Sequence, residues 1–79
     1  MEGFIISDKA RKVVFLEIAS GETSITRIAK KNRLIESVAK NALDELISRG
    51  IVEEKEEGYR LSKEGAKLYG KLKSKNLIE

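Results

Sequence analysis

The chain has 79 residues, with 16 lysines and arginines against 13 acidic residues, and it contains neither cysteine nor histidine. A core of this size is too small for a roomy substrate cavity, and the missing residue types exclude disulfides and zinc sites of the Cys/His kind. Because disulfides and zinc sites of this kind are excluded, we expect a partner subunit to stabilise so small a core.

Two helices are predicted in the first half of the chain. The first spans about residues 8–19 and is buried over much of its surface, because apolar residues dominate it. Ser7 or Asp8 can accept the free amide hydrogens at its start. Ser24 opens the second helix, which spans about residues 24–31. The inward residues of that helix are Ile25, Ile28 and Ala29.

A third helix, a hairpin and a fourth helix follow. The third helix spans about residues 35–49, and Gly50 supplies the left-handed residue that ends it. Residues 51–61 form a two-stranded hairpin, and the last helix spans about residues 62–74. The apolar stripe of the third helix consists of Ala39, Leu43, Leu46 and Ile47. Residues 1–79 are therefore expected to form one domain of the α+β class, mostly α.

Several short motifs stand at characteristic spacings between Ser24 and Leu68. They are Ile28-Ala29 in the second helix, Leu34 at the turn, Ala39, Leu43 and Leu46 in the third helix, Arg49-Gly50-Ile51-Val52 after it, and the segment YRLSKEGAKL. In this joint spacing the chain resembles the winged helix-turn-helix DNA-binding domains of MarR-type, ArsR-type and many small archaeal regulators. The resemblance implies a three-helix core, a short two-stranded β wing and a C-terminal helix.

The resemblance also implies that the third helix enters the major groove of double-stranded DNA while the second helix crosses the backbone. The residues predicted to contact base edges are Ser37, Val38, Lys40 and Asn41. Asn41 can pair with adenine through its amide, Lys40 can reach guanine, and Val38 can pack on a thymine methyl group. The alternative is that these side chains form an ordinary solvated helix face. Ile35 sits where a serine or threonine N-cap is usual.

Positive charge on the second helix predicts contacts with DNA phosphates. Between residues 27 and 33 the sequence has four basic residues and no acidic one: Arg27, Lys30, Lys31 and Arg33. The C-terminal segment from Ser62 adds five lysines against Glu64 and Glu79. Both segments can make DNA binding salt-dependent, and the alternative for each is ordinary solubility and ion pairing.

The predicted wing departs from the family, because residues 51–61 contain four glutamates against Lys55 and Arg60. Phosphates would repel such a hairpin, so we expect the helices rather than the wing to contact DNA. Two functions remain open. We favour sequence-specific binding of double-stranded DNA by a small transcriptional regulator. The alternative is a protein-interaction module of the transcription or replication machinery, with the acidic wing docking a protein partner.

An enzyme is not expected. The chain has no histidine, no cysteine and no Gly-rich phosphate loop. Its core is also too small to desolvate a cluster of polar side chains. No cofactor is expected either.

Apolar residues beyond the needs of a small core predict a homodimer. Its expected interface consists of Phe4, Ile5, Leu68, Tyr69 and Leu72. A three-helix core with a hairpin has limited room for these side chains, so some of them should be exposed unless a second subunit covers them. The alternative is that the N-terminal residues pack on the last helix within one chain.

The location of the protein is predicted from its apolar runs. None approaches the ~20 residues that span a bilayer, and the block 4–6 is far shorter than the hydrophobic region of a signal peptide. We therefore expect a cytoplasmic protein without a membrane partner. Charged residues make up 37% of the chain, mostly lysine and glutamate, a bias that resembles hyperthermophile proteins and favours an archaeal source.

Overall fold

The computed structural model describes residues 1–78, and it contains the four predicted helices, the predicted hairpin and one further N-terminal helix. The elements are α1 (Glu2–Ile6), α2 (Lys9–Ala19), α3 (Ile25–Lys31), α4 (Glu36–Ser48), β1 (Val52–Lys55), β2 (Gly58–Leu61) and α5 (Lys63–Ser74). The expected class, α+β and mostly α, is confirmed. Among the described residues, no helix has the length and apolar character needed to cross a membrane. Glu79, which enters the charge count of the C-terminal segment, lies outside the described residues.

The short helix α1 is the element that the sequence does not predict. A helix of five residues is too short to be stable by itself, so contacts with the rest of the chain must hold it. Ile5 is fully buried in the core. The ring of Phe4 lies between two guanidinium groups, those of Arg11 and Arg49, at 4.3 and 4.2 Å from its centroid. These contacts join residues far apart in sequence, and no local pattern reports them.

Side chains cap three of the predicted helix starts, and at the first of them the cap is Asp8 rather than Ser7. Asp8, Ser24 and Ser62 have extended backbones, and their side chains accept the N–H three residues later at 3.1, 3.3 and 3.0 Å. Each cap satisfies an amide that has no partner inside its helix. Helix α4 differs, because it begins after Ile35, whose side chain makes no capping hydrogen bond. Its end follows the prediction, since Gly50 takes a φ of 73°, in the left-handed region.

The hairpin of β1 and β2 is antiparallel, with Lys55 opposite Gly58. Its turn consists of residues 56–57, and Gly58 is the first residue of β2. Gly58 has a φ of 125°, and a Cβ atom there would lie 2.5 Å from the carbonyl oxygen of Thr23. The N–H of Tyr59 donates to the same oxygen at 3.2 Å. The segment before α3 therefore runs beside the hairpin.

The hydrophobic core lies where α2, α3 and α4 meet, and the hairpin and α5 close over it. Its buried members in these three helices are Val14, Phe15, Ile18, Ile28, Ala29, Ala39, Ala42, Leu43 and Leu46. The prediction that Ile47 belongs to the buried stripe of α4 is wrong, because Ile47 is 36% exposed. Ala42, at 3%, completes the i, i+3, i+4, i+7 pattern instead, and Ile47 falls at the edge of that stripe.

The residues predicted for a dimer interface pack within the single chain. Ile5, Leu68 and Leu72 are at most 6% exposed, so these three side chains are covered without a second subunit. Phe4 and Tyr69 are half-buried against the same core. There is room for these side chains because α1 and α5 add layers to the core beyond its three central helices. A homodimer therefore stays a prediction, without this argument for it.

Candidate nucleic-acid interface

The start of α3 is fixed by the segment that precedes it. The carboxylate of Glu22 accepts the backbone N–H groups of Thr23 and Ser24 at 3.0 and 3.1 Å, and it pairs with Arg27 at 3.3 Å. The hydrogen bond from Ser24, followed by those from Thr23 and Arg27, lowers the pKa of Glu22. Together with the Ser24 cap, these bonds hold the chain in one conformation where α3 begins.

The turn between α3 and α4 is closed by backbone hydrogen bonds. The N–H of Leu34 donates to the carbonyl of Ala29 at 2.8 Å, and that of Asn32 donates to Ile28 at 3.1 Å. Arg33 has a φ of 56°, a left-handed conformation that reverses the chain and leaves the side chain exposed. Leu34 packs against the core, as predicted. The two helices are therefore held at a fixed angle to each other.

The outward face of α4 carries every residue predicted to contact bases. Ser37, Val38, Lys40 and Asn41 are all exposed. Lys40 forms no ion pair with a carboxylate of residues 1–78. Ile35, just before the helix, is 72% exposed and belongs to the same surface. The sequence marks Ile35 only as an unusual N-cap, and its exposure is what adds it to the face.

An ion pair anchors α4 to α2. The guanidinium of Arg11 donates to both carboxylate oxygens of Glu45, at 3.2 and 3.3 Å, and to the carbonyl oxygen of Phe4 at 3.0 Å. The hydrogen bond to Glu45 raises the pKa of Arg11, so the pair stays charged. By sequence, residues 35–49 hold three acidic residues against two basic ones. Arg11 neutralises one of the acidic residues, so this region is less negative than its sequence indicates.

Residues 12–79, most of the chain, match the model of the winged helix-turn-helix family. The chain belongs to the winged helix-turn-helix family. Comparison with curated proteins and with solved structures gives no match. In winged helix-turn-helix terms, α3 and α4 are the helix-turn-helix, α4 is the recognition helix, and β1 and β2 form the wing. The narrower resemblance to MarR-type and ArsR-type regulators stays a prediction.

The four cations predicted to contact phosphates fall into two pairs. Lys30 and Arg33 are exposed and form no ion pair with a carboxylate of the described residues. Arg27 and Lys31 are also exposed, but each lies within 3.3 Å of an acidic side chain. Of these four cations, two are therefore unpaired within the described residues and two already have a counter-charge.

The acidic partners of the second pair come from earlier in the chain. Arg27 pairs with Glu22, and Lys31 pairs with Glu17 of α2 at 3.1 Å. Glu17 also accepts the side-chain amide of Asn32 at 2.9 Å. The stretch from 27 to 33 contains no acidic residue, so its cations look uncontested until α2 packs beside α3. Arg27 and Lys31 are themselves mostly exposed, whereas Glu22 and Glu17 are only 18% and 14% exposed, so the cations remain accessible to phosphates.

The wing is acidic at its tip. Glu53 pairs with Arg60 at 3.2 Å and with Lys55 at 3.7 Å, so one carboxylate holds both basic residues of the hairpin. Glu54 and the turn residues 56–57 are exposed. The described part of the wing therefore presents negative charge and no unpaired cation, and its distance from phosphates stays a prediction.

Proposed function

We propose that this chain is a small transcriptional regulator of the MarR or ArsR type that binds double-stranded DNA sequence-specifically, with α4 in the major groove. The observation that carries the proposal is the exposed face of α4, where hydrogen-bonding side chains stand beside unpaired cations. An α-helix fits the major groove, where each base pair presents a distinct pattern of donors and acceptors. The proposal needs no cofactor and no catalytic residue, and it places the protein with the DNA in the cytoplasm.

Base reading is assigned to the middle of this face. Asn41 has both a donor and an acceptor on its amide, which suits the N6 and N7 atoms of adenine. Lys40 carries an ammonium that can donate to O6 and N7 of guanine. Ser37 lies one turn earlier, and its hydroxyl can serve as donor or acceptor. Because α4 is held by the Arg11–Glu45 ion pair and by the closed turn, these groups are positioned before DNA arrives.

Phosphate binding is assigned first to Lys30 and Arg33, whose charges are not already paired within the described residues. Arg27 and Lys31 are 72% and 65% exposed, so they can join by releasing their carboxylate partners. When the cations leave, Glu22 keeps the hydrogen bonds from the backbone of Thr23 and Ser24, and Glu17 keeps that from Asn32. Each phosphate neutralised releases a condensed counterion. The exchange is therefore favourable at low salt.

We further propose that the regulator is a homodimer whose two copies of α4 read two half-sites. An ion pair between Glu2 and Lys75 at 3.0 Å joins α1 to the end of α5. In these two terminal segments Ile6 is 40% exposed and Leu77 is 37% exposed, which makes them the apolar surface that a second copy can cover. Sedimentation at tens of micromolar protein tests this point, and a monomer there would remove the paired half-sites as well.

The wing supports the alternative function, a protein-interaction module of the transcription or replication machinery. Its tip exposes Glu54, Glu56 and Glu57. Such a surface suits a basic protein partner and repels phosphates. We place this function second, because it gives no role to the face of α4.

Fluorescence anisotropy with mixed-sequence duplex fragments at two salt concentrations tests the proposal. The wild type is compared with a K30A/R33A variant and with a K67A/K71A control of equal charge change. Lys67 and Lys71 line a hollow of about 210 Å³ together with Arg49, at the opposite end of α4 from Ile35. We expect K30A/R33A to weaken binding and to reduce the salt dependence by about two ions, since each phosphate contact contributes roughly 0.9 to the slope.

The control separates a local effect from a change in overall charge. K67A/K71A should weaken binding less than K30A/R33A does, because Lys67 and Lys71 lie beside Arg49, away from the start of α4. Equal losses in the two variants would contradict the placement of the interface. No binding at low salt and tens of micromolar protein would overturn DNA binding itself and favour the protein-interaction module.

A further inference from the structure

The first turn of α4 presents two large apolar side chains to solvent. Ile35 is 72% exposed and Val38 is 42% exposed. Residues three apart lie on the same face of a helix, and the N–H of Val38 donates to the carbonyl of Ile35 at 3.0 Å. The two side chains therefore form one apolar pair on the outward surface. Among the exposed large hydrophobic residues that the structure describes, Ile35 is the most exposed.

The side chain of Ile35 neither packs in the core nor caps the start of α4. Helices α2, α3 and α5 begin with side chains that accept a backbone N–H, whereas Ile35 leaves that position of α4 without a side-chain cap. Isoleucine is among the poorest residues for an N-cap. A position that breaks a local rule without a packing gain is expected where function sets the residue. The exposure of Ile35 therefore needs an explanation other than packing or capping.

Charge around the pair narrows what can cover it. Arg33 and Lys40 flank Ile35 and Val38 in the chain, and both cations are exposed without an acidic partner in residues 1–78. The exposed Glu36 lies between them and accepts the hydroxyl of Thr26 at 3.4 Å, so two cations stand against one carboxylate and the charge around the pair is positive on balance. An occupant that offers apolar groups inside a negative surface fits this arrangement. The major groove of DNA does so, because the C5-methyl group of thymine projects into it between two rows of phosphates.

We propose that Ile35 and Val38 recognise thymine methyl groups, and that Ile35 makes thymine a requirement in the binding site. This inference rests on the proposed function and specifies its sequence preference. Residues three apart rise about 4.5 Å along a helix, against roughly 3.4 Å between base pairs, so the pair spans one or two neighbouring steps. Asn41 lies three residues beyond Val38 and suits adenine. The first two turns of α4 therefore favour a short A·T segment.

Selection of duplexes from a random pool by the wild-type protein, followed by replacement of thymidine with deoxyuridine, tests the proposal. The replacement removes the methyl group and leaves the base pairing unchanged. We expect the selected sites to contain thymine at neighbouring positions. Each contacted methyl group should strengthen binding about fourfold, the equivalent of burying one CH₂ group.

Two substitutions at one position separate recognition from folding. Ile35→Ser should reduce the preference for thymidine over deoxyuridine by about fourfold, the share of one methyl group, and leave the share that Val38 contributes. It should also raise Tm by about 4–8 °C, because serine supplies the missing cap. Ile35→Ala should reduce the preference equally without the rise in Tm. Ile47→Ser is the matched control at the other end of α4, since Ile47 is also exposed, and it should keep the preference.

The outcomes distinguish the two proposals. Equal affinity of the wild type for thymidine and deoxyuridine forms, or selected sites without thymine, would overturn thymine recognition and leave DNA binding intact. An undiminished preference in both Ile35 variants would overturn the role of Ile35. Failure to bind any duplex would overturn both proposals together.

Discussion

Gly65 of α5 lies directly against the backbone carbonyl group of Ile51, at the junction of α4 and the wing. The N–H of Ser62 donates to the same carbonyl oxygen at 2.9 Å, and the Ser62 hydroxyl reaches it at 3.1 Å. The Ser62 hydroxyl also donates to the carbonyl oxygen of Gly50, so the first turn of α5 packs against two consecutive backbone carbonyl groups. This contact gives a physical reason for the spacing of serine and glycine in the segment YRLSKEGAKL.

The contact predicts that Gly65→Ala destabilises the protein. A Cβ atom there would overlap the Ile51 oxygen, which is backbone and cannot move aside alone. Overpacking of this kind costs about 1–3 kcal/mol, more than the gain in helix propensity. Urea unfolding measures the difference. Gly70→Ala in the same helix is the control, because nothing lies within 4 Å of its Cβ position, and it should stabilise by roughly 0.5–1 kcal/mol.

If Gly65→Ala were as stable as Gly70→Ala, α5 would not be packed against Ile51 as the structure shows.

The sequence predicts the fold well wherever its signals are local. The caps at Asp8, Ser24 and Ser62 and the glycine after α4 are confirmed, because each depends on residues within one helical turn. Helix α1 is not predicted, because it depends on residues that are distant in the sequence. Its five residues have little helical propensity of their own, and Ile5 and Phe4 are fixed by distant parts of the chain.

In the candidate interface, too, features that depend on neighbouring residues are predicted, and features that depend on distant residues are not. The exposed face of α4 follows from helical periodicity and is predicted correctly as a surface. The negative charge beside α3 is not predicted, because Glu17 lies 14 residues before Lys31 and reaches it only when α2 packs against α3. A charge count along a segment cannot detect such a counter-ion. The interface is therefore less positive than the sequence between residues 27 and 33 indicates.

This counter-ion leads to a prediction about affinity. Glu17→Gln should strengthen DNA binding at low salt and increase the salt dependence by roughly one ion, because Lys31 loses its anionic partner and becomes available to a phosphate. The glutamine oxygen can still accept the Asn32 amide, so the turn after α3 is preserved. Anisotropy titrations over a salt series measure both effects.

Glu64→Gln is the control for that experiment, since it changes net charge equally but lies beside the Lys67 and Lys71 hollow. We expect a smaller gain from it. A gain from Glu64→Gln that equals or exceeds that of Glu17→Gln would contradict a specific role for the Glu17–Lys31 pair.

Base contacts and phosphate contacts are expected to respond differently to alanine. Asn41→Ala should weaken binding to a selected site by about 1–3 kcal/mol and leave binding to mixed-sequence duplex unchanged, because a bidentate amide reads one base. Lys30→Ala should weaken both alike and lower the salt slope by roughly 0.9. Titrations of both duplexes at several salt concentrations separate the two patterns. Identical patterns for the two variants would mean that α4 does not lie in the groove as proposed.

Acid should weaken the folded state partly through Glu22. Hydrogen bonds from Ser24 and Thr23 and the pairing with Arg27 lower the pKa of Glu22 below its ordinary value of 4.5. Between these two pKa values the unfolded chain binds the proton and the folded chain does not, so the free energy of unfolding falls as pH falls. The contribution of Glu22 to the free energy of unfolding is complete above its pKa in the unfolded state. It is lost as the pH drops through its pKa in the folded state.

Glu22→Gln should therefore flatten the loss of stability below about pH 4.5, measured as urea midpoints across a pH series. Glutamine keeps an oxygen for the amides of Thr23 and Ser24, so the start of α3 is preserved while the titrating group is removed. Glu57→Gln at the exposed wing turn serves as the control and should follow the wild type. If Glu22→Gln kept the wild-type slope, the carboxylate would not hold the start of α3 in the way the structure shows, since a titrating group with these contacts must contribute to the acid limb.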